Sequence, residues 1–249
     1  ENTNNSSCYT TTTFQLIVNE QPVLNMPSQW TICEDGSINL IADNGYDSYL
    51  WSTGEPTQEI TVFEAGTYTV TATNIYGSLT CETAKQITVV ESNIASITEI
   101  ETIDWTQNDN TITVTVEGNG DYEYSLNDIT YQDSNVFTNL SIDDYTVYVR
   151  DKNGCGIVNQ DVYLLYYPSY FTPNGDGVHE TWNIYNSNKE PRNIIYIFDR
   201  YGKLITQLKP NSNGWDGTLK GNPLPASDYW FVVNRQNGKR YTGHFALKR

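Results

Sequence analysis

The densest cluster of residues able to do chemistry is FTPNGDGVHETW at 171–182. Asn174, Asp176 and Glu180 could supply three side-chain oxygens. Gly175 and Gly177 let the chain bend around a hard cation, so the spacing suits Ca²⁺. An EF-hand calcium loop, however, uses more carboxylates at fixed positions and a helix on either side. The preferred reading is a tight loop whose Asn and Asp side chains accept hydrogen bonds from their own backbone. His179 and His244 are the only histidines, and neither lies in HExxH or a similar motif. There is no GxSxG nucleophile elbow and no Gly-rich phosphate loop. Carboxylates are numerous enough for some pair to reach catalytic separation by chance. The chain is read as not an enzyme.

The elements that position this cluster are strands. GTYTVTATNIYGSLTC (66–81), DYTVYVRDKNGC (144–155) and DYWFVVNRQNGK (228–239) share one design, a Tyr opening an alternating strand and then an Asn/Gly turn. Further alternating runs are INLIA (38–42), SYLWSTG (48–54), QEITVF (58–63), QITVV (86–90), ITVTVEG (112–118), YEYSL (122–126), NVFTNL (135–140) and DVYLL (161–165). No segment sustains a helical period. The spacing predicts an all-β chain of tandem immunoglobulin-like β-sandwich domains. Residues 1–20, with FQLIV at 14–18, read as the last strands of a truncated preceding domain. One sandwich is expected at 21–91, a second at 92–165 and a third domain at 166–249. Tyr68, Tyr145 and Tyr229 occupy one position, where the hydroxyl is expected to bond nearby backbone at a strand corner. Trp51 is expected in a core rather than on a carbohydrate-binding face.

Charged residues make up 18% of the chain, and the net charge is −16. Residues 1–165 carry about −21 and residues 166–249 about +5. A long acidic stretch repels nucleic acid, and the basic residues that follow form no run, so nucleic acid is excluded as a partner. Nothing approaches the roughly 20 apolar residues of a membrane-spanning helix.

The repeat phase places Cys8, Cys81 and Cys155 at equivalent positions after the Tyr strand, whereas Cys33 alone sits on a first strand. The expected bridge is therefore Cys33–Cys81, worth about 3–4 kcal/mol of loop closure. On this reading Cys8 lacks its partner, and no cysteine pair has metal-ligand spacing.

The C-terminal stretch carries specific motifs: YPSYFTPNGDGVHETWNI, IYIFDRYGKLI, NGWDGTLKGNPLPASDYWFVV and GHFALKR. Physically, RYGK is a hairpin turn, NGWDG a second turn whose Trp215 folds over the sheet edge, and HFALKR a last strand ending in two accessible bases. Together they resemble the type B C-terminal sorting domain of the Bacteroidetes type IX secretion system, the gliding-motility-associated C-terminal domain. The usual pattern is NGDG-x-N-D-x-W. Asn174, Gly175, Asp176, Gly177 and Trp182 fit it, while His179 and Glu180 replace Asn and Asp. Gly214, Trp215, Asp216, Gly217, Tyr229, Lys248 and Arg249 complete the expected sorting motif. The upstream repeats resemble adhesin-type domains of the same bacteria.

That resemblance implies a non-catalytic region of a cell-surface adhesin used in gliding or attachment. Export would run through the periplasm and across the outer membrane. The implied partners are the outer-membrane translocon and shuttle-type β-barrel proteins. No cofactor is implied beyond the Ca²⁺ considered above. Two other readings stand beside it. Residues 21–165 could be an adhesive module for surface glycans or proteins, or the chain could be the non-catalytic tail of a secreted polysaccharide-degrading enzyme.

Overall fold

The computed structural model describes residues 11–236 and 238–249. Apart from one 3-10 turn at Ser187–Lys189, its regular structure is entirely β. The chain divides into a unit ending at Ser92 and a unit from Asn93 to Arg249.

The first unit holds β1 (Gln29–Cys33), β2 (Ile38–Ile41), β3 (Ser48–Trp51), β4 (Glu59–Val62), β5 (Gly66–Tyr76) and β6 (Leu79–Ser92). One sheet runs β1-β6-β5-β3 and the other is β2-β4. Alternation turns Val70, Ala72, Ile87 and Val89 of the larger sheet toward Leu40, Ile60 and Val62 of the smaller, and all are buried in one core. Trp51 is buried there, and its indole N–H donates to the Thr57 carbonyl at 2.8 Å. It is the core anchor expected from the sequence, although it is the last residue of β3 and not a mid-strand one.

Two expectations fail in this unit. Phe14–Val18 form no strand, and Phe14, Leu16, Ile17 and Val18 are exposed. Alternation alone does not make a strand when no neighbour takes its backbone groups. Cys8 lies outside the described residues. The expected Cys33–Cys81 bridge is not formed: Cys81 is a free thiol, while Cys33 and Cys155 are each disulfide-bonded. The reason is register. β1 lies parallel to β6 with Cys33 beside Ser92, and Cys81 pairs with Asn74 near the other end of β6. Cys81 and Ser92 stand eleven positions apart along the strand, roughly 36 Å. Disulfide geometry needs Cα atoms within about 7 Å.

In the second unit, β7 (Ser96–Ile103), β8 (Asn110–Glu117), β9 (Tyr122–Ser125), β10 (Val136–Leu140), β11 (Asp144–Asp151) and β12 (Ile157–Tyr163) form two sheets, β10-β8-β7 and β12-β11-β9. Ile112, Val114, Val147, Val149 and Leu164 are fully buried in the core they share. The following β13 (Tyr170–Phe171), β14 (Ile194–Phe198), β15 (Leu204–Leu208), β18 (Ser227–Asn234) and β19 (Arg240–Leu247) make a five-stranded sheet, order β13-β19-β18-β14-β15. β16 (Thr218–Leu219) and β17 (Asn222–Pro223) form a minimal hairpin. One face of the large sheet, with Ile195, Ile197, Tyr229, Phe231, Val233, Phe245 and Leu247, is capped by Trp182, Ile184 and Trp215 from the connecting loops.

The three repeat tyrosines share one geometry. Tyr68 donates its hydroxyl to Glu64 O, Tyr145 to Ser141 O and Tyr229 to Pro225 O, at 2.9, 2.7 and 3.0 Å. Each acceptor is the carbonyl four residues upstream, so the corner expected from the sequence is present three times.

Candidate recognition surface

Of the expected sorting-motif residues, Trp182, Trp215, Gly217 and Tyr229 are buried beneath the C-terminal sheet, whereas Asn174, Gly175, Asp176, Gly177, Asp216, Lys248 and Arg249 are exposed. Trp182 and Trp215 come from separate loops and exchange both backbone bonds, Trp182 N to Trp215 O at 2.9 Å and Trp215 N to Trp182 O at 2.8 Å. Both indoles are buried, and each N–H finds a backbone carbonyl, Pro168 for Trp182 and Thr218 for Trp215. Trp182 also stacks on Phe245 with ring centres 3.8 Å apart. Trp215 thus lies inside the core, not over the sheet edge. Gly214 permits this bridge: its φ is +97°, and a Cβ there would meet the Trp182 carbonyl oxygen at 2.7 Å. Gly217 is buried beside Leu247, Tyr229 is 3% exposed, and Asp216 accepts the Thr218 amide at 2.9 Å.

The 174–180 loop is closed by its own groups. Asn174 Oδ1 accepts Asp176 N, Asp176 Oδ1 accepts Val178 N, and Glu180 Oε1 accepts Gly177 N, at 3.1, 2.7 and 3.0 Å. The Asn174 amide donates to Asp176 Oδ2 at 2.9 Å. These bonds, above all the one from the Val178 amide, hold the Asp176 carboxyl below its ordinary value. Gly175 and Gly177 turn the chain with φ of +84° and +83°. The three oxygens considered for Ca²⁺ serve backbone and amide donors. Among the described residues, no group of three or more His, Cys, Asp or Glu is placed to hold a metal.

Besides this exposed loop, two other parts of the surface are open to a partner. Lys248 and Arg249 are exposed, as expected for the two terminal bases. Lys248 sits over the Tyr170 ring at 4.4 Å and donates its backbone N–H to Phe171 O. Arg249 Nε donates to Leu224 O at 3.2 Å. The outer face of the five-stranded sheet carries a row that sequence reasoning missed. In register, Leu204 pairs with Phe198, Phe198 with Trp230, and Trp230 with His244. Leu204 is 49% and Trp230 42% exposed. On a face that an antiparallel sheet usually gives to polar side chains, this one row is largely aromatic and apolar. The signal was in SDYWFVV, where aromatic residues fill both phases of the alternation. A groove of about 510 Å³ lies between Asn183, Tyr185, Asn186 and Pro210. Its lining is mainly Asn, Ser and Pro, with no acid, base, His or Cys.

Residues 165–247 match the family model described as the CHU_C type IX secretion signal domain. This part of the chain is such a domain, a non-catalytic C-terminal signal that directs secretion to the cell surface. No curated protein matches the chain. Among solved structures, the chain is similar to the N-terminal eight immunoglobulin domains of Down syndrome cell adhesion molecule. Identity is 13% and TM-score 0.33, covering 90% of this chain and 36% of that one. It is also similar to immunoglobulin domains 1–5 of Sidekick-1, at 12% identity and TM-score 0.35 over 91% and 58%. A third likeness, at 14% identity and TM-score 0.21 over 93% and 71%, is to SGBP-B of the Bacteroides ovatus mixed-linkage glucan utilization locus. The chain thus spans less than two thirds of the first two chains' length, and the fold is read from its own strands.

Proposed function

We propose that the type IX machinery reads the domain at 166–249 as a folded surface made of the outer sheet face and the two terminal bases. The observation that carries this reading is the signal-domain match over 165–247. Its support in the structure is a division of labour. Trp182, Trp215 and Tyr229 are buried and set the shape, leaving Leu204, Trp230, Lys248 and Arg249 exposed for contact. The partners we propose are the outer-membrane translocon and shuttle-type β-barrel proteins. The regions 21–91 and 92–165, each with two sheets around one core, are proposed to be immunoglobulin-like repeats of a surface adhesin exported with the signal.

The test is export of the full chain in a type IX-competent cell, followed by surface immunolabelling. Trp230→Ser with Leu204→Ser is expected to leave the melting temperature nearly unchanged and trap the chain in the periplasm. Lys248→Ala with Arg249→Ala is expected to lower surface display. Normal display of both double variants would overturn the proposed reading surface. A reporter fused to 166–249 that is exported no better than the reporter alone would show that this domain is not sufficient.

A further inference from the structure

Boundaries between domains usually fall in exposed, flexible linkers. Here the boundary has none. Leu164 and Leu165 are neighbours in sequence, both fully buried, yet Leu164 belongs to the core of 93–164 and Leu165 to the core that follows.

A charged cluster lies at the same place. Arg235, between β18 and β19, donates from Nη1 to Asp104 Oδ2 at 3.0 Å and from Nη2 to Glu190 Oε1 at 2.7 Å. The three side chains are only 9%, 2% and 3% exposed. Their remaining valences are used: Leu165 N donates to Asp104 Oδ2, and Gln236 N donates to Glu190 Oε2. Asp104 comes from the end of β7 and reaches across to a loop of the following domain. Burial holds its carboxyl above the ordinary value although Arg235 opposes this.

The next residue is out of the ordinary on its own account. Trp105 has φ of +87°, a left-handed conformation that bulky side chains rarely adopt. Backbone strain of this kind persists where the surroundings over-determine it. Trp105 N donates to Leu165 O at 2.8 Å, and the indole stacks on Tyr241 of β19 with centres 4.0 Å apart and planes 8° from parallel. Arg235 lies 5.8 Å from the centre of the same indole.

We infer that Arg235, Glu190 and Tyr241 form a socket on the signal domain whose built-in occupant is the Asp104–Trp105 knuckle, so that 93–249 unfolds as one cooperative body. The domain at 93–165 is then a dedicated partner of the signal domain and not an interchangeable repeat. This holds whether or not the outer sheet face is the surface read in secretion. A socket that buries two anions against one cation, and strains a tryptophan to fill its aromatic side, is specific for an acid–aromatic pair held in fixed order.

The experiment is native-state hydrogen exchange on the full chain across a denaturant series, following peptides from 144–151 and from 227–234. In the wild type both peptides are expected to lose protection in one shared step. Arg235→Met and, separately, Trp105→Ala are expected to split that step, the two peptides opening at different denaturant concentrations. Ile197→Ala is the control, because Ile197 is fully buried in the signal-domain core but is not one of the residues that form the joint. It is expected to shift both peptides together without splitting them. Two separate steps in the wild type, or a shared step kept in both joint variants, would overturn the inference. So would identical patterns for Ile197→Ala and Arg235→Met.

Discussion

At the scale of single residues, two glycines of the sorting motif separate backbone freedom from lack of space. Gly175 and Gly214 both have positive φ, but a Cβ at Gly175 would meet nothing within 4 Å, whereas one at Gly214 would press on the Trp182 carbonyl. Gly175→Ala should therefore cost only the conformational term, about 1 kcal/mol. Gly214→Ala adds a displaced Trp182–Trp215 bridge and is expected to cost about 2–4 kcal/mol in chemical denaturation. Equal losses would mean that the bridge does not depend on Gly214. Asp176 makes a second residue-scale prediction. Its carboxyl is lowered first by the Val178 amide and then by the Asn174 amide. A group with a depressed folded value contributes stability that is present above its unfolded value, near 3.8, and lost as pH falls through the folded value. Carbon-detected NMR should place the Asp176 midpoint below 3.8, and Ca²⁺ should not move the resonances of 174–180. A midpoint at or above 3.8 would mean the loop bonds do not form in solution.

At the scale of elements, register decides what spacing alone cannot. Alternation in YTVTAT and YTVYVR marks β5 and β11, and the Tyr that opens each strand makes the expected corner bond. The alternating runs map onto strands because a half-buried pleat imposes period two on the chain itself. Three things were not legible. β7, SITEIETI, interleaves Glu with half-buried Ile at a sheet edge, a composition with weak strand preference. FQLIV alternates well but pairs with no strand among the described residues. The length of the β5–β6 hairpin, fixed by pairing down to Tyr76 with Leu79, carries Cys81 far from Cys33. Equivalent repeat positions therefore did not imply a shared bridge. It follows that Cys81→Ser should change stability by no more than about 0.5 kcal/mol, as for a surface substitution. Cys81 in the native chain should react with a thiol reagent without reductant. A loss of about 3 kcal/mol in Cys81→Ser, or no labelling of Cys81, would restore the bridge expected from the sequence. The site itself was half legible: the motif named the residues that shape the signal domain, while the exposed row on β14, β15 and β18 emerges only from strand pairing.

At the scale of the whole molecule, charge falls into two classes with different consequences. Residues 1–165 are strongly acidic and 166–249 basic, so net charge alone would draw adjacent domains together. Within 93–249 the geometry favours a narrower account. Lys189 meets Asp144 at 2.9 Å, but both side chains are substantially exposed, at 43% and 53%. Water and ions screen such a pair, and ordering two long side chains offsets what attraction is left. The Arg235 cluster is shielded from both effects. Removing its cation leaves Asp104 and Glu190 as buried anions, a change that typically costs about 3–5 kcal/mol. Arg235→Met should thus strongly lower the denaturant concentration at which 93–249 first opens, and the gap from wild type should persist at about 1 M salt, where the Debye length is only about 3 Å. Lys189→Ala should leave that concentration unmoved at either ionic strength. If instead the Arg235→Met deficit closes with salt, or Lys189→Ala matches it, long-range attraction between oppositely charged domains holds the joint, and the buried cluster is incidental to it.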